Sequence, residues 1–248
     1  MIRRGRYRLH KRKKRIVAPI LVVILFLGLA MTPGISAAAE KVKDHQIKIK
    51  MMDPYGNGDG GYEFRKLVTH TQLEEVNDSV NEFIMLTKDS MDENSPGGSD
   101  ISESEWENIQ DKVYLLVDIL GSIIGKDFPV VETKEYVAEV LSTLLKFTYT
   151  IRQPLISIGI GITWIPFYDY ETMFGRLIKP VFIHHLLGFS ATFKLNPFKL
   201  GFPSLSYGLH RVRTFFFNGL LIDFSNLGYD RIVGPQILIG YGFFTGFA

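Results

Sequence analysis

ISIGIGITW, residues 156–164, sets an apolar side chain at every second position and leaves only Ser, Gly and Thr between them. This is the period of a β-strand; a helix of 3.6 residues per turn would scatter the isoleucines around its axis. QILIGYGFFTGF, residues 236–247, has the same habit, with Ile237, Ile239, Tyr241, Phe243 and Phe247 on one face. Gln236, Leu238, Gly240, Gly242, Phe244 and Gly246 form the other. A strand of a half-wet antiparallel sheet presents polar groups to solvent. Here the second face is small rather than charged, so something approaches it closely: a packed helix, another backbone or a ligand. The plain reading is a sheet covered on both faces, with helices on one of them. The sharper reading is contact with lipid.

Other segments after residue 150 share the period. Phe189, Ala191, Phe193 and Leu195 alternate with Ser190, Thr192, Lys194 and Asn196. Arg211 to Phe217 and Leu220 to Phe224 flank Asn218-Gly219, the dipeptide favoured in a type I′ hairpin. Residues 169–187 are ambiguous and admit a helix that stops before Pro180. Five or six strands emerge, fewer than the roughly eight of the smallest single-chain membrane barrels. A spanning barrel would therefore need several copies of the chain, because an open sheet edge in lipid leaves N–H and C=O groups unpaired.

The part before residue 150 has a different rhythm. Gln46 to Met51 alternates like a strand with one wet face, and Asp53 to Gly61 is turn-rich. A helix is expected from Thr71, with Glu74 closing a capping box and Leu73, Val76, Val80 and Phe83 along one face. Met91 to Asp100 reads as a linker. Ser102 and Glu105 form a second capping box, followed by Trp106, Ile109, Val113, Leu116, Leu120 and Ile123 at helical spacing and Gly125 as a stop. A third helix follows Thr133, with Val137, Val140, Leu141 and Leu144 on one face. The fold class expected is α+β: an N-terminal signal or anchor helix, a three-helix region, then a mainly antiparallel β-sheet half. Its divisions fall at 1–39, 40–149 and 150–248.

The first 39 residues suggest a route. Nine of the chain's 28 Lys and Arg lie between Arg3 and Arg15, and Ile16 to Met31 then carries no polar side chain. Small residues at Ala37 to Ala39 complete the order of a secretory signal peptide, with cleavage expected near Ala39. The alternative is an uncleaved anchor through residues 16–31, its basic end in the cytoplasm. Either way the chain is expected outside the cytoplasm, secreted or at the cell surface. Without the leader, 19 basic residues face 26 acidic ones, so the overall basic character does not imply a nucleic-acid partner. The acidic excess lies before residue 149; from Tyr149 onward eight basic residues face four acidic ones.

Chemical motifs are sparse. The chain has no cysteine, which excludes disulfides and thiolate chemistry. Neither Gly-x-Ser-x-Gly, Ser-x-x-Lys nor a P-loop occurs. Asp53, Asn57, Asp59 and Glu63 form a loose candidate calcium site, but an EF-hand register puts Tyr55 at position 1 and Lys66 at position 12. No other cofactor is suggested. His184-His185 is the one histidine pair, and adjacent residues of a strand point to opposite faces. Asp223, among Leu221, Ile222 and Phe224, is either buried with a raised pKa or outward-facing. The candidate contact surface is aromatic: Phe215, Phe216, Phe217, Tyr241, Phe243, Phe244 and Phe247. Three consecutive Phe cannot share one strand face, so at least one needs a second apolar environment, whether helix, lipid or another copy of the chain. The functional expectation is a non-enzymatic binding or structural module at a surface. Its rivals are an extracellular hydrolase joining His184 or His185 to Asp223 or Asp230, and a calcium-dependent surface-assembly module.

Overall fold

The alternating segments become strands, and they are long enough to curl. The computed structural model describes residues 44–52, 61–92, 101–146, 152–193, 203–225 and 233–248. Among them are eight strands: β1 (His45–Met51), β2 (Tyr62–Val68), β3 (Gln153–Trp164), β4 (Thr172–Leu177), β5 (Val181–Phe193), β6 (Pro203–Tyr207), β7 (His210–Asp223) and β8 (Gly234–Phe247). They form one sheet in the order β2-β1-β4-β7-β8-β3-β5-β6. Only β1 and β4 pair in parallel; the other neighbours are antiparallel. The strands before residue 69 thus belong to the same sheet as those after residue 150.

Two expectations need correction. Asn218-Gly219 is not a hairpin turn: β7 runs through it without reversing, with Gly219 opposite Gly175 of β4 on one side and Gly240 of β8 on the other. The glycine is required by close approach, because a Cβ there would lie 2.2 Å from the carbonyl oxygen of Ile239. With partner strands on both sides of the dipeptide, the two halves of β7 have no cause to fold onto each other. Residues 169–187 likewise hold no helix. They supply β4 and the start of β5, which run in succession along one edge of β7. The ladder lapses between them at Pro180, which has no N–H to donate.

The second half of β5 then leaves β7 and pairs with β3 and β6. Pairing returns on itself as β7–β8–β3–β5–β7, a closed ring of four strands. Three register breaks permit the curl: one in the β3–β5 pair and two between β7 and β8. An extra residue in one strand bends it and increases its twist.

Three helices cover part of the outer surface: α1 (His70–Asp92), α2 (Glu103–Ile124) and α3 (Val130–Leu145). α1 begins one residue earlier than expected because Thr69 and Gln72 form the capping box: Thr69 N donates to Gln72 Oε1 at 2.9 Å and Gln72 N to Thr69 Oγ1 at 3.2 Å. Glu74 instead meets His70 at 3.1 Å. α2 has the expected Ser102–Glu105 box and ends at Gly125, whose φ is +90°. α3 opens at Val130, and Thr133 Oγ1 bonds back to the Pro129 carbonyl at 2.6 Å. None of the described helices is long and apolar enough to cross a membrane. The expected signal or anchor segment lies outside the described residues.

The helical stripes and the sheet share one core. Phe83 of α1 meets Phe189 of β5 edge-on at 6.0 Å, and Tyr136 of α3 meets Phe174 of β4 and Tyr241 of β8. Ile156, Ile158, Leu220, Ile222, Ile237 and Ile239 complete the sheet side of it. Each fully buried side chain of this size contributes roughly 1.5–3 kcal/mol. The opposite side chains point into the ring, where Leu155, Ile183, Val212, Phe217, Leu221 and Leu238 form a second core. The sheet is therefore covered inside by its own curl and over part of its outer face by helices.

Candidate functional site

The helices cover only one end of the ring's outer surface. Ile156 and Ile158 lie beneath them, but beyond the break after Ile160 the same strand emerges, and its outward Ile162 and Trp164 are exposed. Neighbouring strands continue this surface. Trp164 stacks on Phe182 of β5 at 5.1 Å, Phe182 meets Phe215 of β7 at 6.4 Å, and Phe216 meets Phe243 of β8 at 6.2 Å. Arg211 and Arg213 are exposed between the rings; Arg211 Nε donates to His184 Nδ1 at 3.3 Å. Partial burial and this guanidinium hold His184 below the usual histidine range.

The backbone at this end is unusual. The described non-glycine residues with positive φ are Phe167 (54°), Phe216 (50°) and Phe244 (53°), and all three are phenylalanines. Their side chains are 97%, 52% and 75% exposed. Such a conformation costs about 1–2 kcal/mol in an L-residue. Phe216 and Phe244 sit at the two register breaks between β7 and β8. Phe167 lies in the turn after β3, its carbonyl accepting from Lys179 Nζ.

The aromatic residues singled out from sequence thus divide. Phe216 and Phe244 are exposed, Phe215 and Phe243 half-buried beside them, and Phe247 half-buried against the inner core. Phe217 points into the ring and is buried. Tyr241 packs under α3, bonding to Thr143 and Glu139. Sequence reading missed Trp164, Phe167 and Phe182; the alternation of β3 carried Trp164, but nothing local shows that the helices stop short of it.

Inside the ring lies a chain of polar groups. His185 Nε2 is 2.7 Å from Ser157 Oγ, Ser157 is 2.9 Å from Ser190 Oγ, and Ser190 is 2.7 Å from His210 Nε2. His210 Nδ1 lies 3.0 Å from the Gly208 carbonyl, which can only accept, so that nitrogen carries a proton. His185 is fully buried, and its Nδ1 has no hydrogen-bond partner. Burial, with His210 at 4.9 Å between ring centroids, holds His185 down to about 3; burial lowers His210 as well. Both rings are neutral at ordinary pH. Gly159 makes the room: a Cβ there would lie 2.4 Å from His185 Nδ1.

Asp223 belongs to another group. It accepts from Ser225 N at 3.1 Å and Ser225 Oγ at 2.6 Å, with Thr163 and Gln236 also in reach, and burial raises its pKa. Nearby, burial raises Tyr168 and Glu171 too. The hydrogen-bond partners of His185 and His210 are hydroxyls and a carbonyl, and no carboxylate is among them. Asp230 lies outside the described residues, as do Asp53, Asn57 and Asp59 of the candidate calcium loop. Glu63 is exposed and faces Lys50 at 3.6 Å. Among the described residues no group of three His, Asp or Glu gathers as metal ligands. No family model matches the chain, no curated protein is similar to it, and no solved structure matches it.

Proposed function

We propose that this is an exported protein, secreted or held at a membrane, that acts as a non-enzymatic binding module through the uncovered outer face of its strand ring. The basic and apolar leader supports export. The observation that carries the binding role is the placement of Phe167, Phe216 and Phe244: each holds a strained backbone while its ring gains little inside the fold. Strain of this kind persists at sites that use it. Fractionation with N-terminal sequencing tests the reading. The expected product is an extracytoplasmic chain that begins near Glu40 or resists a carbonate wash at full length. A wash-soluble cytosolic chain that keeps Met1 to Arg15 would overturn it.

The Ser157–His185 contact favours a second reading, a serine hydrolase. Both residues are fully buried and the imidazole lacks a carboxylate partner, so a substrate would require the ring to open. Covalent labelling of Ser157 or Ser190 by a fluorophosphonate under native conditions would establish it; absence of label leaves the binding role.

A further inference from the structure

We infer that the uncovered face docks on an anionic lipid leaflet, with Phe167, Phe216 and Phe244 entering the boundary between headgroups and acyl chains. This rests on the export reading above and names the partner of the same surface.

Three observations select lipid. First, the aromatic groups project from bends: exposed Phe rings occupy two strand bulges and a turn, and Trp164 on the same outer surface is 60% exposed. Projecting Phe and Trp suit a soft phase that closes around them. Second, the cations are interleaved with the rings. Arg211 and Arg213 alternate with inward-facing positions on β7, and exposed Arg176 precedes β5. β3, β5 and β8 contain no Asp or Glu, and β7 has only Asp223 at its far end. The carboxylate nearest to Phe167 in sequence, Asp169, is held by Lys48 at 2.6 Å. The face is cationic and complements anionic headgroups. Third, a two-fold dimer through this face would oppose its own arginines without supplying acids to pair them.

The test uses the full chain in phosphatidylcholine vesicles, with and without phosphatidylglycerol. Trp164 is on the face, whereas Trp106 is buried in the helical layer. Brominated acyl chains therefore report on Trp164. With phosphatidylglycerol, Trp164 emission should shift to the blue and be quenched, and high salt should reverse both. Trp164→Phe should abolish the signal. Arg211→Gln and Arg213→Gln should each weaken it about five-fold. Phe167→Asn, Phe216→Asn and Phe244→Asn together should remove it from a chain that melts no lower than the parent, since Asn tolerates positive φ. Trp164 left unquenched, or quenched equally without phosphatidylglycerol, would overturn the inference. A blue shift that needs no lipid and grows with protein concentration would overturn it in favour of a second copy, leaving the binding role intact. An unprocessed cytosolic chain would instead remove the export reading beneath it.

Discussion

Acid should destabilise this protein through His185, and His185→Gln should remove much of that sensitivity. The folded ring titrates near 3 and the unfolded one near 6.5. Below the upper value the unfolded chain binds a proton that the folded chain refuses, so stability falls as pH drops, until the folded ring also titrates. The loss is about 1.4 kcal/mol per pH unit and approaches about 4 kcal/mol at the lower end. His210, also lowered, adds in the same direction. Asp223 and Glu171 act oppositely: their raised folded values mean that protonation relieves a burial penalty, which adds stability as pH falls. Comparing parent with variant cancels these carboxylate contributions. Gln keeps a neutral amide within reach of Ser157 but fills less of the space beside Gly159, costing about 1 kcal/mol at neutral pH. The stability curves should therefore cross at about pH 5.5, with the variant more stable below. Denaturant unfolding from about pH 7.5 to about pH 4, followed by Trp106 fluorescence, measures both. Parallel curves would refute the claim that His185 is held neutral by the ring.

Other perturbations have signs set by the same geometry. Phe216→Asn and Phe244→Asn should each leave stability unchanged or raise it by about 1 kcal/mol, as positive φ becomes cheaper; calorimetric melting checks this. Gly159→Ala should cost about 3 kcal/mol, because its Cβ meets His185 Nδ1 at 2.4 Å and Gly188 Cα at 2.7 Å, whereas Gly246→Ala, with nothing within 4 Å, should stay within about 0.5 kcal/mol in urea titrations. Tyr136→Phe keeps the ring packing but removes the hydroxyl that donates to the Asn218 carbonyl at 2.6 Å, and should cost about 1 kcal/mol by the same measurement.

Local signals survived into the structure where local physics decides. The Ser102–Glu105 box and the stripe from Trp106 to Ile123 are as the sequence reads, because a cap and a helical face involve residues three or four apart. β2, β4 and β6 went unread. β2 is an edge strand with exposed Glu63, Arg65 and Leu67, so its apolar alternation is weak. β4 and β6 are six and five residues long, too short for a period to show. Asn218-Gly219 misled because turn chemistry and close strand approach both favour glycine, and only the partners distinguish them. The His185 chain was equally hidden: Ser157, Ser190 and His210 are scattered in sequence, and ring closure brings them together.

Ring closure also accounts for the tail. Four strands enclose little volume, so the inward positions near His185 are Gly159, Ser157, Gly188 and Ser190, with larger apolar groups further along. The large aromatic side chains that find no room inside must point outward, and the helices cover that surface at one end only. Closing the ring further requires bends in β7 and β8, and bends that demand positive φ ordinarily take glycine. This chain supplies glycine at Gly219 and Gly240, close by on the same two strands, yet sets Phe216 and Phe244 at the bends. Phe216 recovers one edge contact with Phe243, and Phe244 points to solvent. An internal gain that small does not offset about 1–2 kcal/mol of backbone cost at each position. The proposed docking on lipid would supply a compensating interaction on the side from which both rings project.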